Sequence, residues 1–312
     1  MKLHDLMKDI HTILDRSGFV TSELKGPGGA SFNLVSRRDD LLLLIKVVMT
    51  RDELTRAISN EMVNLARVLK GSPMIIVPSM VNLPHQDGVL YVRFGIPLLT
   101  VNTLFDHLIE EVPPLVYHAS GGYFVNIDGA LLHQKREFMK MSLGALGEAI
   151  GVSRKAIQMY ESGMGADVEI ALKLENALQA PLILPMDPFS YSDELQAIRD
   201  GLDNLRGLKK EVLEHLDSIG MEVFPTHKCP FDALVRDKRD LVITSVSTGQ
   251  RSLGNRARQM TRIKNITGGD SVMIVSDNVE PRKIDGTPML KISELRSTDS
   301  AKHLIRIIRE RS

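Results

Sequence analysis

The sequence predicts an α/β protein in which two copies of one α/β unit flank a short all-helical segment. The same order of landmarks occurs on both sides of the middle, and the hydrophobic periodicity becomes helical between residues 130 and 178. Hydrophobic residues make up 43% of the 312 residues, which is enough for packed cores. At about 150 residues per domain, the length allows two domains and a small third module. We place the segments at 1–127, 128–187, 188–205 and 206–312.

The repeat is an ordered series of short matches. Each copy begins with an apolar helical pattern that ends at Gly, as a helix C-terminus prefers, and continues with β-rich apolar runs. The order predicted for each copy is helix, three strands, helix, strand, strand. The matched segments are 14–18 with 216–220, 32–35 with 231–234, 41–48 with 241–246, 60–70 with 255–266, 74–77 with 272–275 and 95–99 with 286–290.

This order of elements resembles the restriction-endonuclease-like fold of the PD-(D/E)XK nucleases, which include Holliday-junction resolvases. Such nucleases need an acid on the second strand and an acid-x-Lys on the third, because the carboxylates hold Mg²⁺ and the Lys stabilises charge on the phosphate. Neither copy has the carboxylate pair, so we expect a degenerate fold with no catalytic residue, no metal site and no enzyme activity. We interpret Lys46 as a strand lysine that reaches solvent or a partner carboxylate. The corresponding positions are Asn33, Leu44 and Lys46 in the first copy and Asp232, Ile243 and Ser245 in the second.

Between the copies, the spacing of apolar residues predicts four helices, near 130–139, 143–150, 154–163 and 168–178. Ser142 and Ser153 are suited to cap the second and third helices, and Gly151 suits the left-handed turn between them. A helix, a turn of the pattern Gly-apolar-Ser and a second helix are typical of a DNA-binding helix-turn-helix. The alternative interpretation is a small helical module that packs against or docks another protein.

This segment resembles the Cro and phage-repressor class, whose pattern is followed from Ser142 to Gly163. Leu143 stands where a backbone-contacting Gln is frequent, and Gly147 stands where Ala is usual. We expect the glycine to loosen its helix, although small residues at Gly147 and Ala156 would let the two helices cross closely.

The first residues of a recognition helix point into the major groove of double-stranded DNA. Arg154, Lys155 and Gln158 are therefore candidates for base edges, and Met159 for an apolar contact. The serines are candidates for phosphate contacts or for helix caps alone; they are Ser142, Ser153 and Ser162.

The formal net charge of zero, with 39 basic and 39 acidic residues, argues against indiscriminate polyanion binding. The segments carry −1, −2, −3 and +6 in chain order, and no acidic residue occurs between 241 and 269. This basic stretch predicts either phosphate contacts or a solvated helix face balanced across a subunit contact. The phosphate-contact candidates in it are Arg256, Arg258 and Arg262.

A heptad-like pattern predicts a helix that pairs two chains, because most repressors of this type read two half-sites as homodimers. The alternative is a helix buried within its own chain. The seam consists of Leu195, Leu202, Lys209 and Leu216, with Ile198, Leu205, Val212 and Ile219 offset by three.

The remaining features predict a protein without a cofactor. The single cysteine, in the His227-Lys228-Cys229 segment, is insufficient for zinc and fits a reducing cytoplasm. The glycine-rich stretch 25–29 lacks the Lys-Ser/Thr ending of a nucleotide loop. The most apolar stretch, 41–48, is interrupted by Lys46 and is too short to cross a bilayer, so we expect no membrane partner and a cytoplasmic location.

Nearly the whole chain, including the approach at 124–129 and the start of the second copy at 230–234, is similar to an archaeal family of helix-turn-helix-type transcriptional regulators. The resemblance implies a DNA-binding regulator. Two alternatives remain at this point: a nuclease-related DNA-processing protein, and a DNA-binding module of an antitoxin or restriction-control system.

Overall fold

The computed structural model of the protein describes residues 2–24, 30–79, 85–190, 202, 205–249, 253–280 and 284–312. The chain forms two compact units, each built from two separate stretches. One comprises Met1–Ile13 and Ile75–Tyr191, and the other Leu14–Met74 and Ser192–Ser312. In the part of the chain that is described, no helix is long and apolar enough to cross a membrane.

The second copy of the repeat has the predicted order of elements. A helix is followed by three antiparallel strands, a second helix, and two strands that pair in parallel, giving a five-stranded sheet in the order β11-β12-β13-β14-β15. The elements are α8 (Gly207–Ser218), β11 (Glu222–Pro225), β12 (Ala233–Asp237), β13 (Asp240–Ser247), α9 (Leu253–Thr267), β14 (Asp270–Val275), β15 (Met289–Lys291), α10 (Ile292–Arg296) and α11 (Ala301–Arg311).

The first copy has the same order with one additional strand, β5, inserted before the last one. Strand β4 pairs in parallel with β6, as β14 does with β15. The elements are α1 (Leu3–Arg16), β1 (Val20–Glu23), β2 (Leu34–Arg38), β3 (Leu41–Val47), α2 (Arg56–Leu69), β4 (Ser72–Val77), β5 (Val89–Arg93), β6 (Ile96–Thr100) and α3 (Val101–Leu108).

The two copies also agree in atomic detail. Asn33 precedes β2, donates its N–H to Ile45 (2.7 Å) and accepts the N–H of Val47 at Oδ1 (2.8 Å). Asp232 precedes β12 and makes the same two bonds, to Thr244 and from Val246, both at 2.8 Å. The sequence matches therefore correspond to equivalent backbone positions.

Within the unit Leu14–Met74 and Ser192–Ser312, the part of the first copy that it contains is joined to the second copy by the buried carboxylate of Glu61 on α2. Its Oε1 accepts the Ser31 hydroxyl (2.7 Å) and the N–H of Lys228 (3.1 Å), and its Oε2 accepts the N–H of His227 (2.9 Å). The Cys229 thiol also points to Oε1, and burial, followed by the Glu61 charge, raises its pKa well above the ordinary value. The segment 227–229 thus serves as a set of hydrogen-bond donors to the other copy.

The described part of the predicted dimer seam packs within its own chain. Val212 and Leu216 on α8 are fully or almost fully buried, Leu205 is 7% exposed, and Leu202 and Ile219 pack against the same core. For this half of the seam, the described residues follow the alternative, a helix buried within its own chain, and not the seam between two chains. Leu195 and Ile198 lie outside the described residues, as does the stretch 25–29.

The other unit contains a sheet and the helical segment. In this sheet β5 lies between β6 and β7, and β7 pairs on its other side with β8, the strand that leads into the helices. Two short strands before and after the last helix pair with β8. The elements are β7 (Val116–Ala119), β8 (Gly122–Ile127), α4 (Gly129–Phe138), α5 (Leu143–Ile150), α6 (Arg154–Glu161), β9 (Ala166–Asp167), α7 (Val168–Leu178) and β10 (Ile183–Leu184).

Candidate DNA-binding site

The four helices α4–α7 form a small module with its own apolar core, within one or two residues of the predicted bounds. The predicted core positions Ile150, Ile157 and Leu174 are at most 5% exposed, and Val152 packs against them from the turn. The sequence therefore places one face of α5 and α6 inside and leaves the other face to solvent.

The crossing of α5 and α6 depends on Gly147. A Cβ at this position would lie 2.7 Å from the carbonyl oxygen of Val152, closer than two such atoms can approach. The backbone of the turn occupies the space that an alanine methyl group would need. The close crossing is confirmed, and the loosening of the helix by Gly147 stays a prediction.

Both serine caps form as predicted. The Ser142 Oγ accepts the N–H of Ala145 (3.0 Å), and the Ser153 Oγ accepts the N–H of Ala156 (3.1 Å). Gly151 ends α5 at φ 81°, in the left-handed region that glycine adopts without strain. Ser162 follows α6 and donates its hydroxyl to the Gln158 carbonyl (2.9 Å).

The solvent face of α6 contains the predicted base-reading residues. Arg154, Lys155, Gln158 and Met159 are all exposed, and Met159 retains 41% of its accessible surface. Among the described residues, the side chains of Arg154, Lys155 and Gln158 have no hydrogen-bond or ion-pair partner. Their donors and acceptors are therefore free for a ligand at the start of the helix.

A buried ion pair, which the sequence analysis missed, fixes the orientation of α6. The Nε of Arg136 on α4 donates to Glu161 Oε1 at 2.6 Å, and its Nη1 donates to the Met141 carbonyl at 2.8 Å. His133 Nδ1 lies 3.0 Å from Glu161 Oε2. Burial alone would raise the pKa of Glu161, but the hydrogen bonds and charges of Arg136 and His133 outweigh it and lower that pKa. Arg and Glu at helix-facing positions 25 residues apart give no periodic signal, so only the fold reveals the pair.

Several acidic residues of this module serve structural roles, so they are not free to neutralise the cations of α6. Asp128 and Asp167 cap the N-termini of α4 and α7, where a negative charge is favourable. Glu175 accepts the N–H groups of residues 182 and 183, and Glu169 pairs with Lys173. These carboxylates are thus engaged within the protein, unlike Arg154 and Lys155.

The three arginines predicted in the basic stretch lie on α9 in the other unit and differ in their contacts. Arg256 binds Asp232 Oδ2 (2.9 Å) and the Val246 carbonyl (3.0 Å), so its guanidinium is used within the protein. Arg258 is exposed, with Asp285 at 3.7 Å, and Arg262 is exposed without a side-chain partner among the described residues. Their contact with DNA stays a prediction.

The positions that correspond to a nuclease centre carry closed polar networks. Lys46 is 4% exposed and donates to the Ala30 carbonyl (2.6 Å), so the expectation that it reaches solvent is wrong. Burial lowers its pKa, against the opposing charge of Glu53. In the second copy, the Asp232 carboxylate accepts hydrogen bonds from Arg256 and from the Ser245 hydroxyl, and its Oδ1 lies 3.4 Å from Lys209 Nζ. No cluster of three or more possible metal ligands occurs in the described ranges.

Comparison with known proteins agrees with the nuclease-like fold of the first copy and with the helix-turn-helix module. Residues 3–114 match the family described as PD-(D/E)XK superfamily domain, and residues 132–183 match the helix-turn-helix family. A protein of Methanocella arvoryzae named "Putative HTH-type transcriptional regulatory protein" is 37% identical, over all of this chain and 97% of its own length.

This chain belongs to the family of archaeal HTH-type transcriptional regulatory proteins. Other members of the family come from Natronomonas pharaonis, at 35% identity over 98% of each chain, and Methanocaldococcus jannaschii, at 33% identity over 97% of this chain and 96% of its own. The family resemblance stated from the sequence is confirmed.

Proposed function

We propose that this protein is a transcription regulator that binds a specific sequence of double-stranded DNA as a homodimer. The observation that carries the proposal is the outward face of α6, where the side chains of Arg154, Lys155 and Gln158 are exposed and have no partner among the described residues. Polar groups left free on a rigid, capped helix are what readout of base edges requires.

The side chains of α6 suit particular base features. A guanidinium such as that of Arg154 pairs with the O6 and N7 atoms of guanine, and an amide such as that of Gln158 pairs with adenine. Met159 is suited to the methyl group of thymine. The Ser142 and Ser153 oxygens accept the capping N–H groups, which leaves each hydroxyl hydrogen available to a phosphate.

Dimerisation is proposed because the helix-turn-helix match covers one module, residues 132–183, and such a module by itself reaches only a few base pairs. Two modules related by a twofold axis would read half-sites about 34 Å apart on one face of the duplex. The predicted operator is therefore an inverted repeat.

The nuclease-like copies are proposed to be non-catalytic. The Lys46 ammonium is bound by a backbone carbonyl, and the Asp232 carboxylate is bound by Arg256 with Lys209 beside it, so protein cations surround the acid that a metal ion would need. The match to the nuclease superfamily makes a metal-dependent nuclease the competing candidate.

Selection of bound duplexes from a random pool by the full-length protein tests the main proposal. We expect a recovered inverted repeat, protection of both half-sites, and loss of both with the Arg154→Ala, Lys155→Ala double variant while its circular dichroism is unchanged. Recovery of no common sequence would refute sequence-specific binding, and sedimentation of a monomer on the recovered site would refute the dimer. Duplex cleavage that depends on Mg²⁺ and is lost in Asp232→Asn would favour the nuclease.

A further inference from the structure

The turn between α4 and α5 carries a lysine in a fixed position. Lys140 has φ 54°, and its N–H donates to the Glu137 carbonyl at 2.9 Å. The next carbonyl, that of Met141, accepts Arg136 Nη1, and the Met141 N–H returns to the Arg136 carbonyl at 3.1 Å. The same guanidinium binds Glu161 at the end of α6. A single buried side chain therefore holds both the recognition helix and the turn that carries Lys140.

The Lys140 side chain is exposed and has no hydrogen-bond or ion-pair partner in the described part of the chain. The acid nearest to it in sequence, Glu137, is bonded to Arg136. Lys173, another exposed lysine of the module, is by contrast paired with Glu169 on its own helix. Lys140 is therefore a free cation on a rigid backbone, like Arg154 and Lys155 at the start of α6.

We propose that Lys140 is a further DNA contact, to a phosphate, in addition to the residues on α6. It lies two residues before Ser142, the cap of α5, whose hydroxyl is itself a phosphate candidate. A lysine ammonium is a point charge suited to a phosphate oxygen, and such a contact positions the protein without reading sequence. This inference rests on the proposed function.

The test uses Lys140→Gln, Lys140→Gly and a matched control. Lys70 is a second exposed lysine in the left-handed region, at φ 52°, and it ends α2 in the other unit. Glycine adopts this conformation without strain, so neither Lys140→Gly nor Lys70→Gly should lower the melting temperature. Binding of the full-length protein is measured by fluorescence anisotropy on the selected duplex and on a shuffled duplex of the same composition, over a series of KCl concentrations.

We expect both Lys140 variants to lose roughly 3- to 10-fold in affinity for both duplexes alike, and the slope of log affinity against log salt to fall by about 0.9, the value of one phosphate contact. The control Lys70→Gly should leave affinity and slope unchanged. An unchanged slope in Lys140→Gln, or a loss confined to the selected duplex, would refute the contact. If the Arg154→Ala, Lys155→Ala double variant still abolishes selective binding in that case, the proposed function stands and only the role of Lys140 fails. If the wild-type protein binds neither duplex, both the proposed function and the Lys140 contact are refuted.

Discussion

Arg136 and Glu161 join the first helix of the DNA-binding module to the last residue of its recognition helix through a largely buried hydrogen bond of 2.6 Å. Their side chains are only 6% and 12% exposed, so both charges depend mainly on protein partners rather than on water. The orientation of α6 relative to α4 is therefore set by an electrostatic contact as well as by apolar packing.

Removing the charge of Glu161 should destabilise this module strongly. In Glu161→Gln the guanidinium of Arg136 keeps only the exposed carboxylate of Glu137 as an anion, and losing the less exposed partner of such a pair costs about 3 kcal/mol. We expect faster hydrogen–deuterium exchange in the peptides that cover α4 and α6, and weaker DNA binding. The control is Glu169→Gln, which removes an exposed pair with Lys173 worth about 0.5 kcal/mol or less. Equal effects of the two variants would contradict the structural role of the buried pair.

The same pair predicts sensitivity of the module to acid. The folded state lowers the pKa of Glu161 below its ordinary value of 4.5, so the carboxylate contributes stability that is fully present above about pH 4.5. That contribution is lost as the pH falls through the folded-state pKa, because the unfolded chain then binds the proton more readily. Protection factors in α4 and α6, which are corrected for the intrinsic pH dependence of amide exchange, should fall on acidification more steeply in the wild type than in Glu161→Gln. Parallel pH profiles for the two proteins would argue against this linkage.

Two glycines of α5 should respond to alanine in opposite directions. Gly147→Ala places a methyl group 2.7 Å from the Val152 carbonyl and should destabilise the module by about 1–3 kcal/mol through forced movement of the turn. At Gly144 the nearest atom to such a methyl group is Ser142 Oγ at 3.8 Å, so Gly144→Ala should gain about 1 kcal/mol of helix propensity. Urea denaturation followed by circular dichroism measures both, and a stabilising Gly147→Ala would show that the turn yields freely.

Arg256 and Arg262, six residues apart on α9, should differ in their effect on stability. Arg256→Ala leaves the largely buried Asp232 with fewer donors and should cost about 2 kcal/mol. Arg262 is exposed without a described side-chain partner, so Arg262→Ala should change stability by less than about 0.5 kcal/mol. Thermal unfolding compares them, and identical melting curves would remove the case for a structural role of Arg256.

The predicted DNA contact of the basic stretch is best tested on Arg258 and Arg262, which are exposed, and not on Arg256, which binds Asp232. If Arg258 and Arg262 each bind a phosphate, Arg258→Ala with Arg262→Ala should lower the salt slope by about 1.8, which corresponds to two contacts. The slope is measured on a duplex that extends beyond the half-site. An unaltered slope would assign the stretch to a solvated face.

Local signals predicted the helical module well because its elements are short and each end is marked in the sequence. Ser142, Ser153 and Gly151 act through neighbours within three or four residues, so their roles follow from local chemistry. The exposed face of α6 followed from the same periodicity. The ion pair of Arg136 with Glu161 did not, since it joins residues 25 positions apart that no short pattern connects.

The predicted seam shows the corresponding limit for apolar patterns. Apolar residues spaced three and four apart predict a helix with one apolar face, but this spacing does not indicate whether that face packs on the same chain or on a second one. The same residues, Leu205, Val212 and Leu216, satisfy the pattern by packing on the sheet of their own chain. Likewise, the sequence shows that the nuclease carboxylates are missing, but it does not show that Lys46 is buried against a carbonyl.

The sequence by itself determined the repeated α/β order, the helix-turn-helix between the copies, its caps, and the residues on the outward face of α6, because these depend on local propensity and on the spacing of apolar side chains. Only the tertiary structure decided how residues distant in sequence use their charges. It placed Glu61 against the segment 227–229, bound Arg256 to Asp232 and paired Arg136 with Glu161, while Arg154, Lys155 and Lys140 have no side-chain partner in the described ranges. The physical reason is that a buried charge needs a partner of opposite charge or a hydrogen-bond partner nearby in the fold. The distance between two such groups in the folded protein does not follow from their separation along the sequence.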